Sequence, residues 1–299
     1  MDVIEITAKG EQRHREAQRA EIAHEFEMYS RDLRPVFSVK QLSTISQRGT
    51  GILINIGEVK VIIGKELATI FHRNQPEIVE EMIPQMLQRT QDGNPKASFE
   101  LRILECTLNF ALEMLQREFK NIERSAQKIL LRLKKTTSDE YFEMLLNTKK
   151  HLNKLQTSVR EAEEATEDVL KDEEEIESLC LGSPQRKEME SVIEHAWEQF
   201  EDLSHRIHEI DEHVDDTQDF ITLKMANRRN LIIRFDLIIS ILTAILSGFA
   251  VVTGIFGMNL RNTFENSGLA FLVVVFGILV GSVGLVLLSF WYLRKKKIW

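Results

Sequence analysis

The apolar positions of this chain fall into four successive patterns. Residues 30–64 alternate in short runs, PVFSV, STISQ, GILINI and VKVIIG, broken at Gly49-Thr50-Gly51 and Ile56-Gly57-Glu58, which predicts strands joined by turns. After Pro76 the spacing becomes helical, pauses over QDGNPKAS at 91–98, and resumes at Phe99 with few breakers as far as Gly182. Strands first and helices afterwards predict a small mixed sheet in an α+β domain.

The third pattern begins at Ser183, a predicted N-cap, with Pro184 suited to the first helical turn. Met189, Val192, Ala196, Phe200, Leu203, Ile207, Ile210, Val214, Thr217 and Ile221 then recur three and four apart, a sustained a/d seam. No Gly or Pro intervenes between Pro184 and Gly248. The expectation is one helix of roughly 65 to 75 residues, ~100 Å at 1.5 Å per residue. Such a helix needs cover along its seam. The helices of 99–181 can supply one side and further copies of the chain another, which invites symmetric assembly.

The fourth pattern is a pair of uncharged runs, 237–256 and 269–293. Each is long enough to cross a hydrocarbon layer of roughly 30 Å, which takes ~20 apolar residues, and core helices of soluble proteins rarely stay charge-free beyond about 14. Two membrane spans are expected. Lys224, Arg228, Arg229 and Arg234 precede the first and Arg294, Lys295, Lys296 and Lys297 follow the second, beside the interfacial Trp291 and Tyr292, whereas Arg261, offset by Glu265, stands alone between them. Basic residues stay on the side of insertion, so both termini are expected inside. The expected map is an N-terminal extension (1–29), an inner α/β and helical domain (30–182), a stalk helix (183–236), the spans (237–258 and 269–293), an outer loop (259–268) and a basic tail (294–299).

Within the first span Asp236, Ser240, Thr243, Ser247, Ala250 or Val251, and Gly254 share one helix face, and the opposite face is apolar. Small and hydroxyl residues line helix contacts in membranes. An acid at that depth faces water, a partner or an ion, so an aqueous pore lined by several copies accounts for the stripe as well. The second span lacks such a stripe; Gly277, Gly281 and Gly284 permit close packing, and Ser282 and Ser289 can bond to their own backbone.

Composition narrows the function. The 299 residues carry a net charge of -8 with 28% charged residues, which argues against a nucleic-acid partner. Cys106 and Cys180 stand far apart with no CxxC or His-spaced partner, the pattern of a reduced compartment. The first thirty residues have no apolar signal core and are acidic for a transit peptide. No Ser-His-Asp or Cys-His constellation and no GxxxxGK[ST] loop is readable, so neither an enzyme nor an ATP site is expected.

Gly257-Met258-Asn259 closes the first of two C-terminal spans after a very long helix, and with RDLR at 31–34, GILINIGEVKVII at 51–63, FELRILE at 99–105, VDDTQDFI at 214–221 and the following RRNLI it resembles the CorA superfamily of magnesium channels, in its mitochondrial and plant branch. The resemblance covers residues 30–299. It implies a homopentameric funnel in the membrane lipid, with five long helices continuing into the pore and the second spans outside. Mg²⁺ dehydrates reluctantly. The implied selectivity site therefore holds the hydrated ion through the Asn259 amide oxygen and the Gly257 carbonyl, in the Gly257-Met258-Asn259 motif. An inside-negative potential, ~4.6 kcal/mol per 100 mV for a divalent ion, draws it inward without ATP. Family pores narrow at apolar or Met rings; Ile233 and Ile239 are the candidates here. Arg229 lies nearly on the stripe, and either pairs with an acid or brakes cations. Clustered acids that bind internal Mg²⁺ and favour closure point to Asp215, Asp216 and Asp219, whereas the acids at 161–177 and His205, His208 and His213 read as solvated helix faces. A Zn²⁺, Co²⁺ or Ni²⁺ transporter of the same architecture, and a membrane-anchored coiled-coil scaffold, are the alternatives. The mitochondrial inner membrane is the address the resemblance suggests.

Overall fold

The computed structural model describes residues 2–37, 42–72, 75–91, 97–135, 139–258 and 268–295. It divides into two units, Met1–Thr217 and Gln218–Trp299.

The first unit is built on a six-stranded sheet: β1 (Asp2–Thr7), β2 (Gln12–Glu16), β3 (Thr44–Arg48), β4 (Gly51–Ile56), β5 (Val59–Ile63) and β6 (Leu67–Phe71), in the order β2-β1-β6-β5-β4-β3. Every neighbouring pair is antiparallel, not mixed as the sequence led one to expect. The expected N-terminal extension supplies β1, β2 and the short helix α1 (Arg19–Glu25), so the domain begins well before residue 30. PVFSV, read as a strand, instead gives a single helical turn, α2 (Arg34–Phe37), before the description pauses at 38–41. The β3–β4 turn needs Gly49: its φ is +53° and a Cβ there would stand 2.2 Å from the Phe26 carbonyl oxygen.

Alternation along the strands sorts side chains to two faces. Ile4, Ile6, Ile52, Ile54, Val61, Ile63, Ala68 and Ile70 point into the main core, and Val3, Leu53, Ile62 and Phe71 into a smaller one closed by α1 and α2 with Ile22, Phe26, Leu33 and Val36. Both faces are covered, which is why GILINI is buried at all six positions. Glu5 is the exception on the small-core face. It is nearly buried, its carboxylate sits 2.6 Å from Arg15 Nε, and Arg15 also reaches Glu25. Burial pushes the Glu5 carboxyl up from its ordinary value, against the downward pull of Arg15, with Glu25 adding to the rise.

Helices cover the main-core face. A π turn (Ile78–Met82) leads into α3 (Ile83–Gln91), followed by α4 (Phe99–Lys135), α5 (Asp139–Lys171), α6 (Glu173–Leu179) and α7 (Arg186–Phe256). Leu181 (φ 48°) and Gly182 (φ 88°) turn the chain between α6 and α7. The α7 helix starts at Arg186, so Ser183 is not its cap. Its seam follows the sequence pattern except that Ile193 is the buried position and the expected Val192 only partly so: Met189, Ile193, Ala196, Phe200, Leu203, Ile207 and Val214 are buried, most of them in the main core. Cys106 lies in the same core, and burial pushes its thiol up to about 11.

The second unit holds the C-terminal part of α7 and α8 (Gly268–Lys295), the two helices long and apolar enough to cross a membrane.

Candidate ion pathway

In the second unit α8 packs on one side of α7. Ile238, Ile241 and Leu242 meet Val286, Ser289, Phe290 and Leu293 around a small apolar cavity. Further along, a Cβ on Gly281 would stand 3.4 Å from Phe249 Cζ, so the glycine admits the ring; among the glycines of α8, Gly277 and Gly284 have open space at the same distance. Ser282 Oγ bonds back to the Leu279 carbonyl at 2.9 Å.

The polar stripe lies on the other side. Asp236, Ser240, Thr243 and Ser247 are all exposed, and a Cβ on Gly254 would meet nothing within 4 Å. At about 100° per residue the stripe and the α8-packed set are centred roughly 180° apart on α7. Thr243 Oγ1 donates to the Ile239 carbonyl at 2.8 Å, so its proton is satisfied on its own helix while the oxygen keeps accepting capacity outward. One subunit thus leaves uncovered the face that carries its hydroxyls and its acid.

Ile233 and Ile239 flank the stripe, 54% and 61% exposed, and Arg229 is exposed on nearly the same line. Among the described residues Arg229 has no carboxylate partner. Leu223, Met225, Ile232 and Phe235 are exposed as well, so between Ile221 and the span the helix carries apolar side chains on several sides that none of the described residues covers.

Gly257 and Met258 follow the end of α7. The Gly257 N–H donates to the Thr253 carbonyl at 2.9 Å and the Met258 N–H to that of Ile255 at 3.3 Å. Gly257 adopts no left-handed φ, and Met258 is exposed. Asn259, with Arg261 and Glu265, lies outside the described residues.

Of the three candidate regulatory acids, Asp216 and Asp219 are exposed, and Asp215 is held by the Lys149 ammonium from α5. Sequence reasoning missed Lys149, because the pairing links positions 66 apart that no local spacing connects. Among the described residues no three His, Cys, Asp or Glu side chains gather closely enough to hold a metal ion. His208 Nε2 lies 3.5 Å from Glu212, and His205 and His213 are exposed. In the acidic run Glu164 pairs with Arg160 and Glu167 with Lys171, one helical turn away, and Glu173 pairs with Arg186.

The family model described as "Magnesium transporter MRS2-like" matches residues 3–229. The chain belongs to the MRS2-like family. That match runs from β1 into α7, and ends before the Gly-Met-Asn motif. Among curated relatives, a chloroplastic magnesium transporter of Arabidopsis thaliana, MRS2-11, is 24% identical over 99% of this chain and 72% of that protein. The mitochondrial MRS2 homolog of Rattus norvegicus is 27% identical over 92% of this chain and 68% of its own length. The fold is that of the complete CorA magnesium transporter of Methanocaldococcus jannaschii, with a TM-score of 0.72 over 98% of both chains at 12% identity. The full-length CmaX protein gives 0.60 over 100% of this chain and 98% of the other at 9% identity.

Proposed function

We propose that this chain is one subunit of a homopentameric channel that passes hydrated Mg²⁺ inward down the membrane potential. The observation that carries the reading is the division of α7 into two opposite faces: Ile238, Ile241, Leu242 and Phe249 are occupied by α8, and Asp236, Ser240, Thr243, Ser247 and Gly254 are left open. Exposed hydroxyls and an acid on a membrane helix are costly against lipid and favourable against water. Symmetry-related copies that turn this face inward enclose a wet tube, and the uncovered apolar residues between Leu223 and Phe235 gain partners in the same step.

Selectivity in this reading belongs to Asn259. A carboxamide oxygen accepts hydrogen bonds from the water shell that Mg²⁺ surrenders reluctantly, and it brings no fixed charge to trap the ion. The names of the MRS2 and CorA relatives, all magnesium transporters, support Mg²⁺ as the cargo. Both termini then face the inner compartment, in an organellar membrane such as the mitochondrial inner membrane. Feedback closure by internal Mg²⁺ is assigned to Asp215, Asp216 and Asp219, although among the described residues of one chain no three His, Cys, Asp or Glu side chains gather closely enough to hold the ion.

The test is Mg²⁺ flux into proteoliposomes containing this chain or its Asn259→Ala variant, with Zn²⁺, Co²⁺ and Ni²⁺ as competitors. Selective Mg²⁺ flux that Asn259→Ala abolishes or makes unselective is the expected result. Equal behaviour of the two proteins removes Asn259 from the selectivity site, preference for another ion reassigns the cargo, and no flux from either favours a scaffold.

A further inference from the structure

The first unit carries two rows of unpaired charge. On the outward face of α4, Lys120, Arg124 and Lys128 follow one another at four-residue spacing, all exposed. On α7, Glu209, Glu212 and Asp216 form a corresponding row, also exposed. Among the described residues none of the three bases and neither Glu209 nor Asp216 has an ion-pair partner, and Glu212 has only His208, at 3.5 Å. Like charges one turn apart destabilise a helix. Each row therefore carries an unfavourable term that an opposite row would remove.

The rows also match in height. Ser98 N–H, just before α4, donates to Gln185 Oε1, just before α7, at 2.7 Å, a separation of 87 in sequence. Twenty-one residues further on, the Arg206 guanidinium lies over the Phe119 ring at 5.1 Å, and 206 − 119 is again 87. The two helices hence run in the same direction, in register, through the first unit. Adding that offset puts Lys120, Arg124 and Lys128 at the levels of 207, 211 and 215, each within about two residues, ~3 Å of rise, of an acid in the row 209, 212, 216. Rotation about an axis along these helices leaves every height unchanged, so a ring of copies inserted the same way can bring together only rows that are already level. These rows are level.

We propose that the basic row Lys120–Arg124–Lys128 of one subunit docks on the acidic row Glu209–Glu212–Asp216 of the next copy of this chain, forming the subunit contact of the inner domain. The proposal rests on the ring assembly proposed above and specifies which faces meet. The contact is head-to-tail, one surface of each copy against a different surface of its neighbour, and such contacts close into rings. The charges set register and partner more than they add affinity.

Cross-linking tests this directly. The full-length double variant Arg124→Cys, Glu212→Cys is reconstituted in proteoliposomes and treated with a short bismaleimide. Cys106 and Cys180 are buried and stay silent. The expected result is a ladder of covalent multiples from the double variant and its loss in either single variant. Dimers from Glu212→Cys alone, which place acidic faces together, overturn the proposal, as does the absence of any ladder. A second readout is the dissociation temperature of the assembly. Reversing the basic row to Glu, or the acidic row to Lys, lowers it, and reversing both in one chain restores it; failure of the combined variant to recover also overturns the proposal. Mg²⁺ flux measured on the same vesicles separates the two readings, since a double variant that conducts but does not cross-link rejects this interface and leaves the channel in place.

Discussion

Lys149 Nζ binds Asp215 Oδ1 and ties α5 to α7 within the first unit. The pair is half open to solvent on the Asp215 side, so it contributes no more than about 1 kcal/mol to stability. On the proposed assignment of internal Mg²⁺ to these acids, the Lys149 ammonium competes for the same oxygen. Lys149→Met should therefore move inhibition of flux to lower internal Mg²⁺, and Asp215→Asn, Asp216→Asn and Asp219→Asn together should move it higher. An inhibition curve unchanged in both proteins would take these acids out of the sensor.

The two faces of α7 differ in what reaches them. Single cysteines at Ser240, Thr243 and Ser247 are expected to react with a charged, water-soluble thiosulfonate in proteoliposomes and to block flux. Cysteines at Ile241 and Phe249, on the α8 side, should react slowly or not at all. Equal labelling of both faces is incompatible with a wet stripe.

Gly281 gives Phe249 room at ordinary contact distance. Gly281→Ala should hence leave thermal stability in nanodiscs nearly unchanged, whereas Gly281→Leu pushes the ring away and should lower it, overpacking typically costing about 1–3 kcal/mol. Gly284→Leu, with open space around it, is the control and should be silent in an isolated subunit.

Glu5 makes the first unit sensitive to pH in a defined direction. Its carboxyl is raised by burial, so the folded chain holds the proton to higher pH than the unfolded chain does. This contribution to stability is greatest below the ordinary glutamate range and falls as pH rises through the raised value. Glu5→Gln, keeping size and hydrogen bonding, should flatten that part of the profile in thermal melts between acid and neutral pH. A profile that keeps its slope assigns the effect to another group.

The Cys106 thiol, buried and raised to about 11, is protonated at neutral pH. Native protein should leave it unmodified by iodoacetamide at pH 7 until denaturant is added, as followed by intact mass.

The long-range architecture was readable because it is written in periodicity. The α7 seam from Met189 to Val214, the apolar runs of α7 and α8 and the strands of GILINI and VKVII each repeat a short spacing that tertiary structure merely uses. The start of the sheet was not readable. DVIEIT places Glu5 on a buried face, where Arg15 of the neighbouring strand makes it tolerable, and a charged residue in a short run obscures the alternation. LATIF, too, is a short apolar run without a diagnostic period. PVFSV failed for the opposite reason: Phe37 and Val39 alternate about Ser38 in sequence well enough, but Pro35 sits in a helical turn that presses Val36 into the small core. Along the pathway, the stripe of Asp236, Ser240, Thr243 and Ser247 was legible from spacing alone, whereas which side α8 would take depends on packing that spacing does not encode.

β1 lies inside the sheet, between β2 and β6, although it is the first strand of the chain. Ile4 and Ile6 are fully enclosed, and each interior aliphatic side chain of that kind is worth about 2–5 kcal/mol against alanine. Proteolytic maturation of a longer precursor would accordingly have to stop ahead of Val3. A cut a few residues further in would unzip the hairpin, bare the β6 backbone as a template for foreign strands and turn a trimmed protein into a seed for aggregation.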